Sequence, residues 1–500
     1  MNMKIMSQVQ VLPAVTAFLQ RDHGHFINGK MLKADGQTKI DVVNPATEAV
    51  ISQISLGNHI DVDKAVTSAH QAFKTSWAVT TPYERGQKLL KLADLMEQYG
   101  EELAQLESLS TGKLINLARH LEVQQSVIFM RYFAGWATKI TGKTMQPSLP
   151  SMQGELYTAF TLRQPVGVVA GIVPWNFSLM IGVWKLASAL CTGCTIVLKP
   201  SELASLSLLR LAELSVEAGI PEGVINVVTG DGTTGQCLIE SPLVKKVSFT
   251  GSVPTGIAIG KLAMSSDLTR VSLELGGKNA LAIFEDTNID EILPRLLMAT
   301  FVHQGQVCAA PEKFFVHASK YEELVTKLAG ALRSMNIGAA MDESSAFGPL
   351  SNLPHLNKVK NYLEQVKQRH QIIVGGEVCD RLGYYVEPTL LAVNDTEDPL
   401  LNEECFGPVI CVIPFENEDT LVEQMNHARF GLTASLWINN LSRALRLIPK
   451  LEVGTVWINM HTFLDPAVPF GGVHASGIGR EFADEFIADY TETKSVMMCY

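Results

Sequence analysis

The spacing of hydrophobic residues changes along the chain. Between residues 61 and 135, apolar positions recur with the helical period, in segments such as DVDKAVTSAHQAF. From residue 165 onward, short apolar runs alternate with helical stretches. The runs lie at 167–173, 195–199, 224–228, 245–250, 270–275 and 280–284. Short apolar strands separated by helices predict an α/β fold with a doubly wound parallel sheet, covered by helices on both faces.

A second α/β region is predicted from about residue 289 to 470. Its helices are expected at 289–304, 319–335, 354–370, 418–428 and 441–450, and its strands at 314–317, 409–415, 434–438 and 454–459. The segment 140–163 is polar and contains proline, and the C-terminal YTETKSVMMCY alternates like a strand. We therefore expect 140–163 and the C-terminal strand to form a small separate element that pairs with another subunit.

Composition and charge narrow the class of protein. The chain has 500 residues, of which 47% are hydrophobic and 18% charged, and its formal net charge is −11. This acidic balance, without a basic cluster, argues against nucleic acid or an anionic membrane as the partner. No apolar run approaches the roughly 18 residues that span a bilayer. Residues 1–24 are interpreted as a helical arm and not a signal peptide, which gives the cytoplasm as the expected location.

The cysteines do not form a recognisable disulfide or metal framework. There are eight, few for a chain of 500 residues, and they are expected to be reduced. Cys191 and Cys194 form a C-x-x-C pair inside the apolar segment LASALCTGCTIVL. No second Cys or His pair follows at zinc spacing, so the pair is interpreted as core packing, and no metal site is expected.

Three segments carry residues suited to covalent catalysis. Cys308 lies among small residues in FVHQGQVCAA, where a substrate can approach the sulfur. Glu274 ends a predicted strand in LELGGKNA, a position suited to a general base, although a surface Glu before a turn would look the same. Asn176 in VPWNF can donate to an oxyanion or, alternatively, cap the helix that follows.

Three further segments suit a dinucleotide. Lys199 and Glu202 in VLKPSE directly follow a strand and could contact a ribose, or form a solvated turn. Ser252 lies in FTGSVPTG, a glycine-containing turn that opens a helix, as a pyrophosphate site requires. Glu404 and Phe406 in NEECFGPVI precede a strand, and their alternative interpretation is a capped turn with a core Phe.

Taken together, these segments resemble the aldehyde dehydrogenase superfamily. The resemblance covers nearly the whole chain, from INGK at 27–30 and NPAT at 44–47 to PFGGVHASGIGRE at 469–481. Within the superfamily the chain is most similar to phenylacetaldehyde dehydrogenases, through FLQRDHG, PVGVVAGIVPWNF, QGQVCAA and GTVWIN followed by HT. The resemblance implies an NAD-binding domain (1–139 and 164–275), a catalytic domain (276–480) and a bridging or oligomerisation element (140–163 and 481–500).

The resemblance also implies a mechanism. Cys308 is expected to attack an aldehyde, and the Asn176 side chain and the Cys308 backbone N–H to stabilise the resulting oxyanion. After hydride leaves for NAD, Glu274 is expected to activate the water that hydrolyses the thioester. Lys185 and Glu481 match a proton relay behind Glu274.

Cofactor and substrate residues follow from the same resemblance. A Glu at position 202 favours NAD, because the 2′-phosphate of NADP would meet a like charge. The implied NAD-binding residues are Lys199, Glu202, Trp175, Gly232, Gly251, Ser252, Glu404 and Phe406. The implied aldehyde tunnel consists of Phe177, Ile181, Trp184, Val307, Ala309, Leu464 and Phe470. Its aromatic side chains favour an aryl aldehyde such as phenylacetaldehyde, although a medium-chain aliphatic aldehyde also fits.

Other functions remain as alternatives. A CoA-acylating semialdehyde dehydrogenase would typically lack the Glu at the base position, so Glu274 favours water. A catalytically dead, crystallin-like member would be expected to lose Cys308 or a cofactor residue. A simple dinucleotide-binding module would leave Cys308, Asn176 and Glu274 unexplained. The expected partners are a small aldehyde and further copies of the chain, in a dimer or a dimer of dimers.

Overall fold

The computed structural model describes residues 8–393 and 395–500. Of the predicted N-terminal helical arm, residues 1–7 lie outside this described part, and a helix covers Pro13–Leu19. The α-helices are α1 Pro13–Leu19, α2 His59–Lys74, α3 Pro82–Gln98, α4 Gly100–Thr111, α5 Ile115–Leu117, α6 Gln124–Trp136, α7 Ser178–Thr192, α8 Leu206–Glu217, α9 Gly232–Glu240, α10 Val253–Asp267, α11 Ile289–Phe301, α12 Ala318–Arg333, α13 Leu353–Val366, α14 Glu418–Asn426, α15 Leu441–Leu447 and α16 Phe486–Tyr490.

The strands belong to two large sheets and several small ones. They are β1 His25–Ile27, β2 Lys30–Leu32, β3 Lys39–Val43, β4 Val50–Ser55, β5 Thr144–Met145, β6 Tyr157–Pro165, β7 Val168–Val173, β8 Thr195–Pro200, β9 Ile225–Val227, β10 Val244–Thr250, β11 Arg270–Glu274, β12 Asn279–Ile283, β13 Pro311–His317, β14 Gln371–Val374, β15 Thr389–Ala392, β16 Val409–Phe415, β17 Phe430–Gly431, β18 Thr433–Trp437, β19 Thr455–Ile458, β20 Val473–His474, β21 Gly477–Ile478 and β22 Thr491–Cys499.

The first large sheet confirms the predicted doubly wound architecture. Within residues 8–393 and 395–500 it has eight strands in the order β2-β1-β9-β8-β7-β10-β11-β21, and the strands from β9 to β11 run parallel. Every residue of β7 and β8 is buried, and so is every residue of α7, because helices cover both faces of this sheet. The carboxyl ends of the parallel strands share one edge, where open α/β sheets bind ligands.

The second large sheet corrects one prediction. It has the order β14-β15-β16-β13-β12-β18-β19. β12, predicted among the strands of the first sheet at 280–284, pairs instead with β13 and β18. The turn between β11 and β12 explains the change of sheet. A Cβ on Gly277 would lie 2.8 Å from the Cys308 carbonyl, so glycine lets the chain cross there beside the nucleophile segment.

A three-stranded sheet in the order β22-β6-β5 contains parts of both segments predicted to form the bridging element. β22 pairs with β6 along its whole length, from Thr491 opposite Pro165 to Cys499 opposite Tyr157. Residues 481–490, predicted to belong to that element, lie instead against the first sheet. Phe486 and Tyr490 are buried in the core beside α7 because their rings are apolar.

The predicted helix 289–304 ends early, and its end shapes the site. α11 stops at Phe301, and the 3₁₀ turn Val302–Gly305 follows. His303 and Gln304 take positive φ values of 47° and 58°, which breaks the helix three residues before Val307. The remaining predicted helices and strands of this region are present with ends shifted by a few residues. Among the residues described, no helix is both long and apolar enough to cross a membrane.

Candidate active site

Cys308 lies where two cavities meet. The smaller cavity has a volume of about 230 Å³ and the larger about 460 Å³. Both walls include Asn176, Ile181 and Cys308. The thiol is therefore accessible from two directions, one for each cavity.

The smaller cavity collects strand ends from the first sheet. Its wall includes the predicted base Glu274 and five of the predicted cofactor residues, namely Trp175, Gly251, Ser252, Glu404 and Phe406. Lys199, Glu202 and Gly232 are not in this wall. They lie further along the same sheet edge, at or just after the ends of β8 and β9.

Polar groups at this edge suit a ribose and a pyrophosphate. The Lys199 ammonium lies 3.5 Å from the Glu202 carboxylate. Burial lowers the pKa of Lys199, and Glu202 opposes that shift. Ser252 caps the 15-residue helix α10 and accepts the backbone N–H of Thr255 at 3.4 Å, so the positive end of the helix dipole faces the cavity.

Glu274 is buried and lacks a hydrogen-bond partner. Only 5% of the residue is exposed, so it is not the surface Glu of the alternative interpretation. Within the described structure neither of its carboxylate oxygens has a hydrogen-bond partner. Burial raises its pKa well above the usual value, Glu481 raises it further, and Lys185 opposes both. A carboxylate in this environment is a stronger base than one in water.

Lys185 and Glu481 lie behind Glu274 as an ion pair. The Lys185 ammonium donates to the Glu481 carboxylate at 2.9 Å and to the Thr250 hydroxyl at 2.8 Å. Lys185 is fully buried, whereas 9% of Glu481 is exposed. The second Glu481 oxygen has no partner among the described residues. A charged group adjacent to Glu274 is thus available to exchange protons with it.

Asn176 contacts the nucleophile segment and does not cap α7. Its side-chain amide donates to the Gln306 carbonyl at 2.9 Å, which leaves its second hydrogen available to the cavities. The first turn of α7 is satisfied differently: the N–H of Leu179 donates to Glu107 at 3.2 Å and that of Met180 to Glu122 at 2.9 Å. These two buried carboxylates therefore fix the helix that follows Asn176.

The Cys308 thiol is protonated in this environment. Burial raises its pKa to about 12, and the carboxylates of Glu274 and Glu404 contribute in the same direction. A thiol is a weak nucleophile until its proton is removed. Removing this proton requires a base, and the wall of the smaller cavity contains both Cys308 and the carboxylate of Glu274, whose pKa is raised.

The segment 404–406 is fixed by residues that the motifs did not indicate. The Glu404 carboxylate accepts the backbone N–H of Gly277 at 2.9 Å. Glu312 accepts the N–H groups of residues 405 and 406 and pairs with the buried ammonium of Lys278. Phe406 has a φ of 58°, unusual for this residue type, and its ring lies edge-on to Trp175 at 5.6 Å. Phe406 is therefore held over the cavity and is not a core residue.

The larger cavity contains the whole predicted aldehyde tunnel. All seven residues, Phe177, Ile181, Trp184, Val307, Ala309, Leu464 and Phe470, lie in its wall. Phe129 adds another ring, 5.4 Å from Trp184. Polar groups from Asn116, His120 and Gln125 also reach this wall, and sequence patterns did not indicate them. The cavity is thus mainly apolar, with several aromatic rings and some polar side chains.

Sequence reasoning missed several charged and polar residues at the site. His355 and Lys358 on α13 line the smaller cavity, yet nothing in their helix distinguishes them from surface residues. The sequence did offer an indication for Lys278 and Glu312, because charged residues next to fully buried strands require partners.

No group of three or more His, Cys, Asp or Glu in the described residues could hold a metal. Cys191 and Cys194 are free and buried, as core packing predicts.

Comparison with known proteins agrees with this geometry. The model of the aldehyde dehydrogenase family matches residues 31–496, so the chain belongs to the aldehyde dehydrogenase family. A phenylacetaldehyde dehydrogenase of Pseudomonas fluorescens is 42% identical over 494 residues, covering 98% of each chain.

Solved structures agree as well. An NAD⁺ complex of aldehyde dehydrogenase from Bacillus cereus has a TM-score of 0.95 at 39% identity and covers 98% of this chain and 99% of that one. Betaine aldehyde dehydrogenase from Staphylococcus aureus, in complex with NAD⁺, has a TM-score of 0.93 at 33% identity and covers 97% of both chains. This chain therefore has the aldehyde dehydrogenase fold over nearly its full length.

Proposed function

We propose that this protein oxidises an aldehyde to a carboxylic acid with NAD, through a covalent adduct on Cys308. The observation that carries the proposal is the position of Cys308 between the two cavities. One cavity has groups suited to a dinucleotide, and the other is mainly apolar and contains several aromatic rings. A substrate carbon bound to the sulfur would therefore lie between them, as hydride transfer requires.

The residues of the smaller cavity fit NAD. A Cβ on Gly276 would collide with the Glu404 carboxylate, so this glycine is needed for the close approach of the two segments. Ser252 at the start of α10 suits the pyrophosphate, Lys199 and Glu202 suit a ribose diol, and Glu404 suits the second ribose. Bound NAD supplies the acceptor for the hydride that leaves the substrate carbon. The carboxylate of Glu202 disfavours a 2′-phosphate at the same place.

In the first half of the reaction, Cys308 becomes the nucleophile. Glu274 takes the proton of the thiol, because its raised pKa makes it a competent base. The sulfur bonds to the aldehyde carbon, and the carbonyl π electrons move to the oxygen. Asn176 and the Cys308 backbone N–H donate to that oxyanion, and each such donor lowers the barrier by about 3 kcal/mol. Loss of hydride from the carbon then leaves a thioester.

In the second half, water releases the acid. Once Glu274 has passed the thiol proton towards the Glu481–Lys185 pair, it removes a proton from water, the oxygen attacks the thioester carbon, and the carbon–sulfur bond breaks as the thiolate leaves. The proton on Glu274 can pass towards the Glu481–Lys185 pair, whose ammonium and carboxylate lie 2.9 Å apart. Water is favoured over CoA as the acceptor because a base is already present beside Cys308.

The larger cavity supports an aryl aldehyde as the substrate. Its volume of about 460 Å³ is that of an ordinary small-molecule site. Two rings in its wall contact each other, since Phe129 lies 5.4 Å from Trp184. Trp184 in turn packs 4.8 Å from Phe482, a ring outside the wall. An arylacetaldehyde would add its own ring to this set. The similarity to the Pseudomonas fluorescens phenylacetaldehyde dehydrogenase supports the same assignment.

NADH formation tests the proposal. Purified protein is supplied with NAD and with phenylacetaldehyde, benzaldehyde, hexanal, acetaldehyde or betaine aldehyde, each with and without CoA. A higher kcat/KM for phenylacetaldehyde, independent of CoA, is expected. A preference for hexanal would keep the reaction and replace the aryl substrate with an aliphatic one. Absence of NADH with every aldehyde would contradict the proposal, and Cys308→Ala, which should bind NAD without turnover, is the control.

We infer that the protein forms a homo-oligomer, with a dimer of dimers as the expected form. The three-stranded sheet and its adjoining loop expose large apolar side chains, including Met152 at 90% and Met497 at 70%. Large apolar side chains exposed on one small element are typical of interfaces. Light scattering of the purified protein measures the mass, and a monomer at micromolar concentration would contradict the inference.

A further inference from the structure

The nucleophile segment 308–310 has all three of its carbonyl groups held by side chains. The Asn279 amide donates to the carbonyl of Cys308 at 2.6 Å and to that of Ala310 at 2.9 Å. The carbonyl between them, of Ala309, lies 2.8 Å from Nε2 of His461 and also accepts the Thr433 hydroxyl at 3.4 Å. His461 therefore contacts the residue next to the nucleophile from a part of the chain 152 positions away.

The direction of each hydrogen bond to His461 can be deduced. A carbonyl only accepts, so Nε2 of His461 carries the hydrogen that goes to Ala309. The other ring nitrogen, Nδ1, lies 2.7 Å from the Ser435 hydroxyl. That hydroxyl already accepts the indole N–H of Trp437 at 3.1 Å, and an indole only donates. The Ser435 hydrogen is consequently free to go to Nδ1, which accepts it.

The result is a chain of hydrogen bonds with one direction, from Trp437 through Ser435 and His461 to Ala309. It requires a neutral imidazole with its hydrogen on Nε2. Burial lowers the pKa of His461 to about 4, so the ring is neutral at physiological pH. The ring also packs against Trp457, with centroids 4.8 Å apart. Both its tautomer and its orientation are thus determined by neighbours.

We propose that His461 is a positioning residue, which orients the Cys308 sulfur between the two cavities by fixing the Ala309 carbonyl. The importance of this orientation for catalysis rests on the proposed function. The hydrogen bonds themselves do not depend on it. His461 also lines the larger cavity beside Cys308 and Ala309. Without His461, the Ala309 carbonyl would keep only the longer bond from Thr433, and the segment 308–310 would be held mainly by the two bonds from Asn279.

Three variants separate positioning from folding. His461→Phe keeps a ring beside Trp457 and removes both hydrogen bonds. His461→Gln keeps a donor for Ala309. Ser435→Ala removes the group that fixes the tautomer and also the acceptor of the Trp437 N–H, so its melting temperature is compared as well. His427→Phe, at an exposed position, is the matched control. Each is compared with the unaltered protein by its melting temperature, by the rate of Cys308 alkylation with iodoacetamide without NAD, and by kcat and KM.

A displacement of the reacting atoms by about 1 Å costs about 100-fold in rate. We expect His461→Phe to lower kcat and the alkylation rate by about 10- to 100-fold, with a smaller change in KM. Ser435→Ala should show a smaller loss, and His461→Gln should recover most of the rate. If His461→Phe does not fold, the other two variants carry the test.

Unchanged alkylation and kcat in a folded His461→Phe would overturn the proposal. If that variant does not fold, two results would overturn it: unchanged rates in folded Ser435→Ala, or a loss of about 10-fold or more in folded His461→Gln, which keeps the donor. The two proposals can fail separately. If the unaltered protein oxidises no aldehyde while alkylation still falls in His461→Phe, positioning stands and the proposed function fails. If aldehydes are oxidised and alkylation is unchanged, positioning alone fails.

Discussion

Glu312 holds Phe406 through the backbone: its Oε1 accepts the Phe406 N–H at 2.8 Å. Its other oxygen accepts the Cys405 N–H at 3.1 Å and also the ammonium of Lys278. Glu312 lies four residues after Cys308, and Lys278 lies four residues after Glu274. One buried ion pair therefore joins the nucleophile segment, the base segment and the segment of Glu404.

Glu312→Gln is expected to weaken NAD binding more than aldehyde binding. The amide keeps the shape but loses the charge that strengthens two backbone hydrogen bonds. A loss of about 1.5 kcal/mol corresponds to about a tenfold higher Kd for NAD. Titration calorimetry with NAD measures it, with Glu364→Gln on the exposed face of α13 as the control. Equal effects on NAD and aldehyde would show that Glu312 acts on the whole site and not on this segment.

Glu274→Gln is expected to separate the two halves of the reaction. Without the carboxylate, hydrolysis of the thioester should slow by about 100-fold or more, as for loss of a general base. Stopped-flow measurement should show a burst of NADH equal to the enzyme concentration, slower than in the unaltered protein because the Cys308 thiol also loses its base, and then a steady state that is slower still. Mass spectrometry should find the acyl group on Cys308. A steady-state rate equal to that of the unaltered protein would remove Glu274 from the mechanism.

Glu202→Gln is expected to relax the preference for NAD over NADP. A carboxylate about 4 Å from a phosphate costs about 4 kcal/mol at an effective dielectric constant of 20, and screening in water reduces this. Since 35% of the Glu202 side chain is exposed, the ratio of kcat/KM values should narrow by about tenfold rather than by the full amount. Glu240→Gln, exposed on α9, is the control. No change in NADP use would place the ribose away from Glu202.

The affinity for NAD is expected to rise with pH through neutrality. Burial, together with a smaller contribution from the nearby Glu312, raises the pKa of Glu404 to about 7. Below this pH Glu404 is protonated, and above it the carboxylate accepts hydrogen bonds from a ribose more strongly. The Kd for NAD should therefore fall as pH increases across about 7. Glu404→Gln should remove this change in Kd with pH. A change of the same size in the variant would show that another group titrates.

The sequence predicted the site wherever residues follow buried parallel strands. The run that became β7 is continuously apolar, and β8 is buried throughout, because both faces of their sheet are covered. Strand ends of a parallel sheet share one edge, so motifs that are distant in sequence, such as those of Trp175 and Ser252, meet in one cavity.

Contacts made across sheets could not be predicted in this way. The apolar run of β12 has the same pattern as its predecessors, and periodicity does not specify which sheet a strand joins. His355 contacts the Phe406 carbonyl at 2.7 Å and His461 contacts Ala309, but each bond joins residues far apart in the chain. The early end of α11 depends on the positive φ of His303, which no local pattern indicated.

The two cavities that meet at Cys308 make the choice of aldehyde and the choice of nucleotide separable properties. Phe470 and Leu464 border only one of them, whereas Ser252 and Glu404 border only the other. Substitutions at Phe470 or Leu464 can therefore alter which aldehyde is accepted while the dinucleotide contacts stay intact. A protein with this division can acquire a new substrate range by small steps, each of which preserves a working cofactor site.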